Sequence, residues 1–233
     1  MLDFGFYNMD CMEGMKQFPD KYFDLAIVDP PYGIDIGNKS FGVGGGVAPH
    51  KSRSAKNLTI GGGITDAKIY KAFDDTSTPD ELYFKELERV SKQRIIWGGN
   101  YFINFLDNTE CMIIWDKGRR DLNYADCEIA WTDMDEPSRI FEFLWNGMLQ
   151  GDMQNKEERI HPTQKPIRLY TWLLSKYAKK GYKILDTHVG SASSLIACER
   201  MGFKYVGFEI DKEYYDMASK RLNEEINQIQ WMV

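Results

Sequence analysis

Apolar residues along this chain come in short runs: Leu25 to Val28, Ile95 to Trp97, Met112 to Trp115, Ile184 to Leu185 and Tyr205 to Phe208. Runs this short, bounded by polar residues, predict buried strands. Between them the spacing turns helical. Thr78-Pro79-Asp80-Glu81 predicts a helix start, with Thr78 as the cap, Pro79 in the first turn and Glu81 returning the capping bond; Tyr83, Leu87 and Val90 then share one face. A second helix is predicted from Pro166, with Ile167, Tyr170, Leu174 and Tyr177 on one side, ending before Gly181. The last follows Asp211 and carries a stripe of Tyr215, Ala218, Leu222 and Ile226 that packs on the sheet. Strands alternating with helices predict an α/β fold built on a largely parallel, doubly wound sheet.

Residues 33–73 break this rhythm. They hold nine of the chain's twenty glycines, including Gly44-Gly45-Gly46 and Gly61-Gly62-Gly63, which predicts a long mobile loop. Lys39, Lys51, Arg53, Lys56, Lys68 and Lys71 outnumber Asp35 and Asp66, so the loop carries +4 in a chain of net charge −6. The total argues against phosphate binding over the whole surface, whereas a basic loop is where a polyanion would arrive. Lys51, Arg53 and Lys56 are its candidate nucleic-acid contacts.

With 233 residues, 43% of them hydrophobic, the chain can bury one sizeable core, and a single domain is expected. It shows neither a secretory leader pattern nor an apolar run of bilayer length, so a cytoplasmic protein is expected. Cys11, Cys111, Cys127 and Cys198 are widely separated, which indicates neither zinc nor a disulfide framework.

Three motifs carry candidate chemistry. Asp29-Pro30-Pro31-Tyr32 follows the first buried run directly, placing a carboxylate, a rigid carbonyl and an aromatic face at a strand end. Those groups suit a flat ring bearing an amino group; the same tetrapeptide also suits a plain proline turn. Tyr182 to Ala192 reads as a strand ending in Asp186, then a small-residue turn with Gly190 and Ser191, with Glu209 closing the next strand. This arrangement resembles a nucleoside-binding half of a Rossmann-like sheet, and its single glycine suits a nucleoside better than a dinucleotide. His161-Pro162-Thr163-Gln164-Lys165-Pro166 precedes a helix and offers a hydroxyl, an amide and an ammonium where a carboxylate is favoured.

Taken together and in this order, these motifs resemble the S-adenosylmethionine-dependent amino-methyltransferases of DNA. The catalytic tetrapeptide preceding the donor half resembles the β class, a circular permutation of the class I methyltransferase fold. Asn8-Met9-Asp10-Cys11, Trp97 to Phe102 and Trp115-Asp116-Lys117 match further strand ends of that family. The resemblance implies a base flipped out of double-stranded DNA. Asp29 and the Pro30 carbonyl then accept from its exocyclic amino group, Pro31 holds the turn and Tyr32 stacks on the ring. It implies Asp10 and Cys11 near the donor's adenine, Thr163 and Lys165 toward its methionine carboxylate with His161 also on the donor side, Asp186 at its ammonium, Gly190 and Ser191 along its backbone, and Glu209 on its ribose. No metal is required.

Asp rather than Ser before Pro-Pro-Tyr leans toward N6 of adenine over N4 of cytosine, and a catalytically silent donor- or DNA-binding module is the reading from a different class. The family turn usually reads Gly-Ser-Gly, where this chain has Gly190-Ser191-Ala192, and His188 stands where Phe is common. Segment 132–160 is short and acidic and is expected to serve recognition or dimerisation, so a second copy of the chain joins duplex DNA as a candidate partner. A restriction endonuclease is a counterpart that the resemblance raises.

Overall fold

Alternate residues of each central strand enter different cores. In the computed structural model, which describes residues 1–34, 40–41, 47–48, 75–118, 120, 125–146 and 149–231, Leu25 and Ile27 join one apolar cluster while Ala26 and Val28 join the other. Burial on both sides is what a central parallel strand requires, and it explains why these runs are continuously apolar.

The elements are β1 (Gly5–Asn8), α1 (Cys11–Met15), β2 (Phe23–Val28), α2 (Glu81–Val90), β3 (Ser91–Trp97), β4 (Met112–Asp116), β5 (Cys127–Thr132), β6 (Arg139–Glu142), α3 (Ile167–Tyr177), β7 (Lys183–Asp186), α4 (Ser193–Met201), β8 (Lys204–Glu209) and α5 (Lys212–Trp231). The main sheet runs β1-β8-β7-β2-β3-β5-β4-β6. Every adjacent pair is parallel except those made by β5, which runs antiparallel between β3 and β4. Residues of α1 and α2 pack into one core, and those of α3, α4 and α5 into the other. This is the doubly wound, permuted arrangement expected from the sequence, with one strand reversed.

One local expectation needed correction. Asp80, not Thr78, caps α2, its carboxylate accepting from the Tyr83 N–H at 3.1 Å, so Pro79 lies before the helix rather than in its first turn. Segment 132–160 contributes β6, an edge strand paired with β4, and a short hairpin of Trp145–Asn146 with Leu149–Gln150. It extends the sheet as well as interrupting it. Of loop 33–73, Ser40–Phe41 pairs antiparallel with Val47–Ala48; Lys51, Arg53 and Lys56 lie outside the described residues. Among the described residues, no helix is long and apolar enough to cross a membrane.

The order places the candidate motifs on one edge. From β7 the chain crosses through α4 to β8 on one side, and from β2 it crosses through α2 to β3 on the other. The sheet therefore reverses its winding between β7 and β2, where a crevice opens at the carboxyl ends of the strands. Leu25 pairs with Ile184 and Ala26 with Leu185, so Asp29 and Asp186 leave adjacent strands at that crevice.

Candidate active site

Asp29 stands just beyond β2. Its Oδ1 accepts from the Tyr32 hydroxyl at 2.5 Å, and its Oδ2 accepts from the Lys165 ammonium. Burial raises the pKa of Asp29, and the Glu128 charge adds to that while Lys165 opposes it. The Tyr32 ring stacks on Tyr101, centroids 4.9 Å apart at 14°, and meets Phe102 edge-on. The Tyr32 backbone is fixed separately, because buried Asp75 accepts from the N–H groups of Tyr32 at 2.7 Å and Gly33 at 3.0 Å. The Asp75 carboxylate thus joins positions on either side of the glycine-rich segment.

Lys165 differs from expectation. The resemblance directs it to the donor's carboxylate, yet its ammonium lies in the Asp29 pocket, paired with Asp29 and with Glu128 at 3.0 Å. Burial lowers its proton affinity, but the two carboxylates outweigh this and it stays charged. The geometric reason is its place just before α3, which packs beneath β2 and β5 in the same core. Gln164 is likewise committed to its own loop: its carbonyl accepts from the Trp145 indole at 2.8 Å and its side-chain oxygen from the Ile160 N–H at 2.9 Å.

On the other side of the crevice, Asp186 is 2% exposed and accepts from Ser194 Oγ and from the His188 N–H at 3.0 Å. Burial pushes its pKa up to about 7, despite those two hydrogen bonds. Gly190, at φ +56°, donates its N–H to Glu209 Oε2 at 2.9 Å, while Glu209 Oε1 accepts from the Asp211 N–H at 2.9 Å. Each carboxylate oxygen keeps a second lone pair for a hydroxyl. Ser191 offers its carbonyl to Arg221 at 2.7 Å, and its hydroxyl lies 3.1 Å from Ser193 Oγ. Ala192 holds a left-handed conformation, φ 62° and ψ 17°, in the place where the family turn has glycine.

His161 packs its ring on Tyr214 at 4.3 Å and sits 3.9 Å from where a Cβ on Gly190 would be, so the His161 to Pro166 segment does meet the donor turn. Thr163 Oγ1 lies 3.0 Å from His161 Nδ1. Burial, with Lys165 nearby, drops the His161 pKa to about 3, and burial drops that of His188 to about 4, so both rings are neutral. A cleft of about 110 Å³ opens between Met9, Asp10, Cys11, Thr187, His188, Phe208, Glu209 and Ile210. Asp10 lines it, but its Oδ1 caps α1, accepting from Met12 N–H at 2.8 Å and Glu13 N–H at 3.2 Å. Burial and the Asp10 charge push the Cys11 thiol up to about 12, which makes it an apolar wall rather than a nucleophile.

Sequence reasoning missed Glu128, Asp75 and Arg221. Glu128 could have been suspected as a lone charge inside the apolar strand Cys127 to Thr132; the other two carry no local signal.

An acid, a hydroxyl-bearing ring and a buried cation lie on one side of the switch-point crevice, and a set of polar strand ends lies on the other. Residues 23–220 match the N6/N4 DNA methylase family, and the chain belongs to it. Members use S-adenosylmethionine as methyl donor. The chain is 23% identical over 244 residues to the type II methyltransferase M2.DpnII of Streptococcus pneumoniae, covering 94% of this chain and 89% of that protein. It also resembles in fold the putative DNA modification methylase TTHA0409 of Thermus thermophilus complexed with S-adenosyl-L-methionine, with TM-score 0.55, 15% identity and 95% of each chain covered. The cytosine-N4-specific PvuII DNA methyltransferase aligns with TM-score 0.58 and 12% identity, over 98% of this chain and 93% of that one.

Proposed function

We propose that this protein methylates N6 of a flipped-out adenine in double-stranded DNA. The observation that carries the reading is the placement of Asp29 and Tyr32 at the end of β2, directly across the switch point from Asp186 on β7. Donor and acceptor sites are thereby side by side in one crevice.

An exocyclic aromatic amine is a weak nucleophile, because its lone pair is delocalised into the ring. Asp29 and the Pro30 carbonyl accept its two N–H groups, which draws the lone pair out of the ring plane and aims it across the crevice. Tyr32 holds the ring by stacking. The donor site fits S-adenosylmethionine on the residues present: Asp186 faces an ammonium, Glu209 keeps lone pairs for ribose hydroxyls, and the cleft beside Met9, Phe208 and His188 takes the adenine. With Lys165 committed elsewhere, the hydroxyls of Thr163 and Ser191 are left for the carboxylate. Bound there, S-adenosylmethionine supplies an electrophilic methyl group.

Adenine is favoured over cytosine by Asp at position 29, and duplex DNA would reach the site along the basic 33–73 loop. A second copy of the chain, docked through 132–160, would widen the DNA-binding face. Incubation with labelled donor and plasmid DNA, followed by digestion to nucleosides, should yield N6-methyladenine. The Asp29→Ala protein should yield none; N4-methylcytosine from the unaltered protein would reassign the base, and label retained in Asp29→Ala would reassign the site.

A further inference from the structure

The Lys165 side chain is 3% exposed. It touches Asp29, lies 3.0 Å from Glu128 Oε2 and 3.2 Å from the Tyr32 hydroxyl, and is roofed by the rings of Trp97 at 5.4 Å and Tyr32 at 5.6 Å. Glu128 binds a second ammonium, that of Lys117, at 2.6 Å. Four alternating charges thus run from β4 through β5 and the start of α3 to the catalytic carboxylate. Buried pairs of this kind return little stability, since desolvation consumes most of the attraction. Their placement on Asp29 points instead to the reaction.

The geometry points to Lys165 and Glu128 as positioning residues for methyl transfer: Lys165 aims Asp29 and keeps it anionic, and Glu128 retains Lys165 when the carboxylate turns to the target amino group. This rests on the methyltransferase reading above. Without substrate, both Asp29 oxygens are engaged, one by Tyr32 and one by Lys165. An incoming amino group competes for the same oxygens, and the displaced ammonium needs a second anion to stay in an apolar pocket. Glu128 is that anion; Lys117 and Lys165 hold its pKa down at about 2 against the effect of burial. As the nitrogen lone pair takes the methyl group, the carbon–sulfur bond breaks with its electrons going to sulfur. One of the two nitrogen protons passes to Asp29, which becomes the neutral acid, while Lys165 remains charged beside Glu128.

The two residues act on Asp29 with opposite sign. Besides them, the groups facing Asp29 include Tyr32 at its side, Tyr83 on α2, Tyr170 on α3 and Asp186 at the end of β7. Carbon-13 carboxyl NMR on aspartate-labelled protein, with Asp29 assigned from its missing peak in Asp29→Asn, follows its titration without turnover. Lys165→Met should move the Asp29 midpoint up by about one pH unit or more, Glu128→Gln should move it down, and Lys165→Arg should leave it within about half a unit. The acid limb of the plasmid-methylation rate should move the same ways. Calorimetry should find S-adenosylmethionine affinity in Lys165→Met within about twofold of the unaltered protein.

Shifts of one sign, or an unmoved Asp29, would overturn the inference. So would a tenfold loss of donor affinity with Asp29 unmoved, which would return Lys165 to the donor carboxylate. If Lys165→Met does not fold, a downward shift in Glu128→Gln together with an unshifted Lys165→Arg supports the inference, and no shift in Glu128→Gln overturns it. Failure of the unaltered protein to methylate DNA would sink the enzymatic reading by itself, while the NMR titration still decides whether Asp29 is held as described.

Discussion

The ring of Tyr32 occupies the space that a side chain on residue 98 would need: a Cβ on Gly98 would fall 2.2 Å from Tyr32 Cε1. Gly98 also holds φ +70° and donates its N–H to the Ile129 carbonyl at 2.9 Å, so the turn after β3 has no room to retreat. Gly98→Ala should therefore push Tyr32 off its seat and cut methyl transfer by about two orders of magnitude, by misplacing the acceptor by about 1 Å. Donor affinity should be unchanged in calorimetry. An active Gly98→Ala protein would show that Tyr32 need not stand where it does.

Asp186 sets a pH dependence. Its carboxyl, raised by burial to about 7, must ionise to hold an ammonium. S-adenosylmethionine affinity should therefore climb as pH rises through 7 and level off by about pH 8, with proton release visible as a buffer-dependent binding enthalpy. Asp186→Asn should bind more weakly and lose the slope. Stability of the free protein runs the other way: a raised carboxyl favours the fold while protonated, so its contribution is present below the unfolded pKa and fades as pH rises toward 7.

Ala192 pays for its left-handed backbone. At φ 62° it carries strain of about 1 kcal/mol, and Ala192→Gly removes this while giving up a buried methyl worth about 0.8 kcal/mol. Net stability should stay within about 1 kcal/mol, as measured by urea unfolding. Donor affinity should be equal or better, since the turn relaxes without losing a contact to the crevice. Markedly weaker binding in calorimetry would contradict this.

Arg221 joins three elements around the Gly190 to Ala192 turn. From α5 its guanidinium reaches the Ser191 carbonyl at 2.7 Å, Ser193 Oγ at 2.9 Å and Glu157 Oε2 at 2.9 Å, and Glu157 Oε1 accepts from the Ile167 N–H at the start of α3. Arg221→Met should destabilise the protein by about 2 kcal/mol, mostly by stranding the Glu157 carboxylate, and should raise the KM for the donor. The double change with Glu157→Gln should recover part of the stability in denaturant unfolding. Full additivity of the two changes would show that they do not act as a pair.

The basic loop is tested through salt. Changing Lys51, Arg53 and Lys56 together to Gln should weaken duplex binding and flatten the slope of log affinity against log salt by about 2 to 3. An unchanged slope would move the DNA path elsewhere on the surface.

How much of this was legible beforehand follows from range. The buried strands Leu25 to Val28, Ile184 to Leu185 and Tyr205 to Phe208, and the apolar faces of α2, α3 and α5, are written in local periodicity, because burial on a strand or helix repeats with the backbone's own period. The family motifs are legible for a related reason: each is a contiguous segment at a strand end or just before a helix, and their order announces the permuted sheet. The reversed strand β5 carries no comparable mark, since strand direction depends on what lies beside it. The destination of Lys165 was equally hidden. Its sequence neighbours place it with the donor motif, but α3 docks so that its ammonium meets Asp29, 136 residues away, and Glu128 on another strand. Sequence alone determined the short apolar strands, the helical faces between them and the motifs that stand beside them. Only the tertiary structure decided which charges neutralise one another, because a buried charge takes its partner from whatever packing brings within reach.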